Sequence, residues 1–282
     1  METEKARGTE TVLVLGGTGK TGRRVAQRLE ARGMPVRVGS RSGEPPFDWE
    51  NPDTWAPALG DVGAVYISYY PYLGVPGAVE TVGSFADLAV ASGVRRLVLL
   101  AGRGEPEEEP AVDAVRESGT ELTIVRSTWF AQNFSEDYWA EGILNGELAL
   151  PAGEVPEPFV DADDVADVAV AALTDDRHIG ELYELTGPRL LTFAEAIDEI
   201  AKAAGREVRF VPVSIGEFAS AAAEQGAPGE VISLLRRLFG EVLDGRNAHL
   251  TDGVRRALGR EPKDFADYAR EAAATGVWAS KR

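Results

Sequence analysis

Short apolar runs alternate with amphipathic stretches over the first two-thirds of the chain. Thr11–Leu15 reads TVLVL, a run too short for a helix, so it predicts a strand. Residues 20–32 place Val25, Ala26 and Leu29 at helical spacing, and Gly33 stops that helix. The alternation continues with strands predicted at 36–38, 62–68, 96–100 and 121–126. Helices are predicted at Ala78–Ala91 and, after an acidic stretch at 105–109, up to Gly119. Repeated strand–helix units of this kind build a parallel sheet with helices on both faces, an α/β fold.

Beyond residue 126 the pattern loosens. Residues 129–138 are aromatic and polar, and 153–158 form a proline-broken loop. Residues 161–173 predict a helix with an Asp-rich start, and Leu182–Leu185 a further strand. Thr192 followed by Glu195 is a capping box opening a helix over 192–204. A short strand is expected at 208–211, and from Ser214 onward the chain is mostly helical, with breaks at 226–229 and 244–247. The expected organisation is a sheet core over 1–128, to which 159–185 returns. Residues 129–158 and 186–282 form a small, mostly helical and discontinuous substrate-binding region. Segments 128–150 and 214–245 would build a pocket and a lid hinged through Gly226, Gly229 and Gly245.

The first strand runs straight into Gly16-Gly17-Thr18-Gly19-Lys20-Thr21-Gly22. Glycines at 16, 19 and 22 between a strand and a helix let a pyrophosphate reach the free N–H groups and positive dipole end of that helix. This is the dinucleotide-binding turn of a Rossmann-type, doubly wound sheet. Gly19-Lys20-Thr21 also looks like the end of an NTP-binding P-loop, but that motif needs glycine at 14, where Val14 stands. The end of the second strand selects the cofactor. It reads RVGSRS over 37–42, with no acid before Glu44 to take ribose hydroxyls. Arg41 can pair in a forked geometry with a 2′-phosphate, and Ser40 adds a hydroxyl, so NADPH is favoured over NADH. Asp48 is placed near the adenine. Ser68 and Tyr69 after the third strand, and Ala101 and Gly102 at the end of the fourth, are expected to border the ribose and nicotinamide. Tyr70, Tyr72, Arg103, Trp129, Phe130 and Asn133 are the candidate substrate pocket, with ordinary core packing the competing role for the aromatics.

Composition narrows the partners. The chain has 282 residues and a formal net charge of -17, with lysine only at 5, 20, 202, 263 and 281. Such an acidic surface argues against nucleic acid and anionic membranes as partners and leaves a small molecule. There is no cysteine, so disulfides and thiolate chemistry are excluded. Only two histidines occur, and no metal-ligand spacing is present. Asp161, Asp163 and Asp164 are expected to serve a helix start, His178 to be exposed, and 105–109 to be a solvated helix start. Nothing resembles a signal peptide or a run of about 18 apolar residues, so the expected location is the cytoplasm.

The chain resembles the NmrA-like atypical short-chain dehydrogenases/reductases. The likeness rests on the 16–22 turn, Arg41, AVY at 64–66, GVRRLV at 93–98, IVRSTWF at 124–130, Asn133-Phe134, FVD at 159–161 and YELTGP at 183–188. That resemblance implies NADPH as cofactor. It also implies a reductase of bulky secondary metabolites, such as a ketoreductase tailoring aromatic polyketides of the angucyclinone type and acting on a large planar substrate. Imine or quinone reduction, and a non-enzymatic NADP(H) sensor, are the alternatives. The wider family uses Ser with Tyr-x-x-x-Lys, where the tyrosine protonates the alkoxide. Tyrosines occur at 66, 69, 70, 72, 138, 183 and 268, and none has lysine four residues on. Ala101 stands where the serine is expected. Hydride transfer does not require a side-chain acid, so water or a substrate hydroxyl can supply the proton. Tyr69, Ser127 and Thr128 are the side-chain candidates.

Overall fold

A computed structural model describes residues 10–137 and 139–279. The N-terminal stretch 1–9, read for a signal sequence, Tyr138 and residues 280–282 lie outside the described residues. The strands are β1 (Thr11–Leu15), β2 (Val36–Gly39), β3 (Val62–Ile67), β4 (Arg96–Gly102), β5 (Glu121–Ser127), β6 (Glu147–Leu150), β7 (Leu182–Leu185) and β8 (Arg209–Pro212). The helices are α1 (Lys20–Ala31), α2 (Trp55–Ala58), α3 (Ala78–Ala91), α4 (Glu109–Glu117), α5 (Trp139–Leu144), α6 (Ala162–Thr174), α7 (Phe193–Ala204), α8 (Ile215–Glu224), α9 (Gly229–Arg237), α10 (Gly253–Leu258) and α11 (Phe265–Ala274). The chain divides into two compact units: Met1–Ser127, Ala162–Glu184 and Gly253–Gly259 form the first, and Thr128–Asp161, Leu185–Asp252 and Arg260–Arg282 the second. The segment carrying α10, expected with the helical region, belongs to the first unit.

The first unit holds a six-stranded sheet in the order β2-β1-β3-β4-β5-β7. β1 pairs in parallel with β2 and β3, β3 with β4, and β4 with β5. Such strands are covered on both faces, which is why β1 reads as a continuous apolar run. Leu13, Leu15, Val65, Ile67, Leu97 and Leu99 pack with Phe85, Ala86 and Ala89 of α3 and Val112 and Val115 of α4. Elsewhere in the unit α1 lies along α6. Val25 and Leu29 of α1 are fully buried, as are Val165, Ala166 and Ala169 of α6. Arg24 and Arg28 of α1 pair with Asp163 at 3.1 and 2.7 Å, and Arg28 reaches Asp167 at 2.6 Å. The acidic start of α6 is thus a helix-packing device. Among the described residues no group of three or more His, Asp or Glu is arranged to hold a metal.

His178 departs from expectation. It is buried, at 1% exposure, although it sits in a polar stretch. Thr123 on β5 donates its hydroxyl to the His178 carbonyl (2.6 Å), and Gly180 N–H to Leu122 (2.9 Å), so the segment lies against β5. Arg177 Nε donates to His178 Nε2 (3.1 Å), which leaves Nδ1 to donate to the Tyr183 hydroxyl (2.8 Å). Burial, reinforced by the Arg177 charge, lowers the imidazole pKa and keeps the ring neutral.

The second unit is built on aromatics: Phe134, Phe159, Phe193, Phe265 and Trp278 belong to one buried cluster. Trp278 donates its indole N–H to the Phe134 carbonyl (2.9 Å). The Thr192–Glu195 capping box forms as predicted. β6 and β8 make a two-stranded parallel sheet, with β8 displaced by one residue from its expected span. β6 was not foreseen: its exposed–buried alternation lasts four residues, too few to separate a strand from a loop.

Candidate functional site

The first unit's sheet changes winding direction between β1 and β3, since β2 lies to one side of β1 and β3, β4 and β5 to the other. Open α/β sheets bind ligands at such a switch point, outside the carboxyl ends of the strands. Gly16 at the end of β1 has φ +67°, and a Cβ there would meet Cβ and O of Ser68, just past β3, at 3.0 Å. A Cβ on Gly17 would lie 2.7 Å from Val38 Cγ1. One on Gly22 would lie 2.2 Å from the Gly16 carbonyl oxygen. The turn is therefore folded so tightly on α1 that only glycine fits at 22, whose hydrogen packs against the loop. Gly19 caps α1 with no side-chain bond, and its own N–H is spent on Gly16 O at 2.9 Å. No acidic residue occupies the first turn. The start of α1 is thus ready for an anion, with Thr18 and Gly19 exposed beside it.

Thr21 takes a different part from its neighbours. It is buried and its hydroxyl accepts from Tyr66 Oη at 2.9 Å, so only its backbone faces the anion role. Burial raises the Tyr66 pKa, keeping that phenol a donor. Arg41 is exposed at the end of β2, and Ser40 is half-buried with its hydroxyl 3.5 Å from that of Ser42. That cationic, hydroxyl-bearing rim with no carboxylate over 39–43 suits a 2′-phosphate. Asp48 organises its own turn. Its carboxylate accepts from Glu50 N–H (3.1 Å) and its carbonyl from the Trp55 indole (2.8 Å). Tyr69 packs at 5.0 Å from Trp49, itself set against Trp55 and Phe85. Tyr70 is 70% exposed, and Tyr72 is half-buried.

At the end of β4, Ala101 is buried at 6% exposure and Gly102 N–H donates to Glu108 Oε2 at 2.6 Å. Glu108 is 4% exposed, which corrects the reading of 105–109 as a solvated helix start. Burial first, and then the charge of Glu105, push its pKa up to about 7 against the Gly102 N–H, the Leu73 backbone and the charge of Arg126. Sequence offered no signal for it, because the five residues 105–109 read as one acidic, proline-bearing run. Arg103, expected in the substrate pocket, is 3% exposed, pairs with Glu184 at 3.6 Å and gives its N–H to Ser127 O at 3.0 Å. Ser127 itself is 8% exposed.

In the second unit, the buried Thr128 hydroxyl donates to Glu157 Oε2 at 2.8 Å, and Glu157 is fully buried. Trp129 is half-buried, stacked on Trp139 (centroids 5.6 Å, 26°) and 4.9 Å from Phe239, so much of its ring serves the core. Phe130 and Asn133 are half-buried and joined by the Asn133 N–H to Phe130 O bond (3.0 Å). Asp161 accepts from Gln132 (2.9 Å) and lies 3.3 Å from Lys263 Nζ. His249 is exposed. An open depression of about 480 Å³ lined by Asp137, Ala140, Glu141, Leu144 and Val277 holds none of the residues singled out above.

No model of a known protein family matches the chain. Individual proteins do. The chain is 32% identical over 280 residues to the uncharacterized oxidoreductase YesF of Bacillus subtilis (strain 168), covering 95% of this chain and 96% of that protein. It is 30% identical over 285 residues to an NAD(P)H azoreductase of Xenophilus azovorans, covering 93% and 98%. Among solved structures, NmrA, a negative transcriptional regulator in complex with NADP, superposes with a TM-score of 0.72 at 17% identity, covering 96% of this chain and 98% of that one.

Proposed function

Because the chain belongs to the NmrA-like NAD(P)-dependent atypical short-chain dehydrogenases/reductases, we propose that it is an NADPH-dependent ketoreductase. Its substrate in this reading is a bulky, conjugated secondary metabolite of the aromatic-polyketide kind. The tight glycine turn at the β1–β3 switch point is the observation that carries the reading. The backbone of 16–22 would hold the pyrophosphate, and Arg41 with Ser40 the 2′-phosphate. Ser68, Tyr69, Ala101 and Gly102 would border the ribose and nicotinamide. Bound NADPH supplies the hydride that reduces a carbonyl carbon. The β4 edge supplies no hydroxyl at Ala101 and the sequence no Tyr-x-x-x-Lys pair, Thr128 donates to Glu157 and Ser127 is buried, so the alkoxide takes its proton from water or from a hydroxyl of the substrate, with Tyr69 the side-chain alternative. The product is the alcohol. In the first unit Tyr70 and Tyr72 keep exposed surface and Arg103 is committed to internal contacts; in the second, Phe130 and Asn133 keep exposed surface and Trp129 is mostly committed to packing.

The test follows NADPH absorbance with a panel of aromatic ketones, quinones, cyclic imines and azo compounds, and identifies the product. Ketone-dependent oxidation to an alcohol is the expected result. Turnover confined to quinones, imines or azo compounds would keep the reductase and replace its substrate class. Ala101 favours a second reading, a redox sensor without turnover. No oxidation by any compound, with equal tight binding of NADPH and NADP⁺, would establish that reading instead.

A further inference from the structure

Glu108 is the buried titratable group that the proposed reaction leaves unused. It begins the turn into α4, yet its carboxyl is aimed back at the sheet, where Gly102 N–H donates to Oε2 at 2.6 Å and the Leu73 backbone faces the same carboxyl. Leu73 is itself buried, at 2% exposure, and belongs to the core of the first unit. The carboxyl therefore joins two segments far apart in sequence. One is the end of β4, with Ala101 and Gly102. The other is the loop after β3, with Tyr69, Tyr70 and Tyr72. Gly74 in that loop packs closely on Tyr72 and on the Cγ of Glu107, so the neighbouring acid also faces it.

We propose that Glu108 is a positioning residue, a clasp that fixes the loop after β3 to the end of β4 and so sets the wall on which cofactor and substrate would rest. The clasp stands on the geometry of the first unit alone; its consequence for NADPH rests on the reductase reading.

Competing forces decide which form of the acid closes the clasp. The Gly102 N–H, the Leu73 backbone and the Arg126 charge favour the carboxylate. Burial and the Glu105 charge oppose it and win, since the pKa lies above the usual carboxylate range. Glu109 engages Arg126, and Arg103 is paired with Glu184, so neither is a new counter-ion for Glu108. A group that is harder to ionise in the closed state than in water holds that state when neutral. The clasp is tight below neutral pH and loosens as pH rises through about 7. Gln, which keeps one acceptor and never ionises, should hold it closed at all pH values.

Hydrogen–deuterium exchange on the cofactor-free protein tests this, corrected for intrinsic exchange, at pH 5.5 and 8.5. Wild-type protection over 69–75 should fall between the two, and E108Q should stay flat, about tenfold better protected at pH 8.5. E108A should be unprotected at both. A wild-type-like pH dependence in E108Q, or intact protection in E108A, would overturn the proposal. To keep the test independent of how E108A folds, the amide resonances of Gly102 and Leu73 are also titrated in the wild type. A shared midpoint near 7 is expected, and independent or absent titration would overturn the clasp regardless of the variants. NADPH affinity is then measured at both pH values, with weaker binding at pH 8.5 that E108Q restores. A chain that binds no NADPH would sink the reductase reading and leave the exchange result standing.

Discussion

Two places at the carboxyl end of one sheet are built by opposite means. At the β1–α1 turn the backbone does the work: Gly17 and Gly22 have no room for a Cβ, and the start of α1 carries the charge preference. At the end of β4 side chains do it: Glu108 on Gly102, Arg103 with Glu184, and Ala101 without a hydroxyl. A backbone-built site admits few sequences, so it stays the same from protein to protein and announces itself. A side-chain-built edge can be refilled, and this is where the chain parts from the Ser, Tyr and Lys pattern of the wider family.

The largest effect should come from breaking the first site. Gly22→Val puts carbon within 2.2 Å of a backbone oxygen that cannot step aside. We expect NADPH affinity to drop by at least about a hundredfold and stability to fall by about 2–5 kcal/mol, read by titration calorimetry and urea unfolding. Affinity within threefold of wild type would remove the α1 start from the cofactor site. Arg41→Ala should act on one cofactor only. Losing a charge-assisted fork should weaken NADPH about tenfold or more and leave NADH within about twofold. Equal loss for both would mean that Arg41 does not read the 2′-phosphate.

The same contrast explains what sequence made legible. β1, α3 and β7 fall where the hydrophobic pattern puts them: β1 is a continuous apolar run, β7 at the sheet edge alternates half-buried and buried positions, and α3 keeps its helical period. The glycine turn is legible since its cause is local. His178, Glu108 and Arg103 are not, because each is polar in sequence and buried by partners distant along the chain: Thr123 on β5, Leu73 after β3, and Glu184 on β7. Trp129 reads as a pocket aromatic with core packing as its competing role, and only the fold assigns its ring largely to packing.

His178 gives a smaller effect, with a sign opposite to that of Glu108. Its folded pKa lies below 6.5, so its contribution to stability is full above that value and is lost as pH falls through the folded pKa. Glu108 contributes fully below its ordinary 4.5 and loses that contribution as pH rises through about 7. Urea midpoints at pH 5.5 and 7.5 separate them. His178→Gln should flatten the acid-side loss, and E108Q the alkaline-side loss. A steeper acid-side loss in His178→Gln would mean that the ring is charged in the folded protein.

Ala101→Ser is the smallest expected change and the sharpest test of the β4 edge. The substitution returns a hydroxyl to the place where the wider family keeps one. In that family the serine acts with a tyrosine made acidic by a lysine four residues on, and no such pair exists here. A serine alone at a position 6% exposed has to find its own partner, and it meets a strand end already occupied by the Glu108 carboxyl on Gly102. Turnover should therefore change by less than about threefold, well short of the hundredfold or more that an installed general acid gives. A tenfold gain in kcat would show that the edge still holds the rest of a proton-donating apparatus, and the water or substrate hydroxyl would lose its place as the proton source.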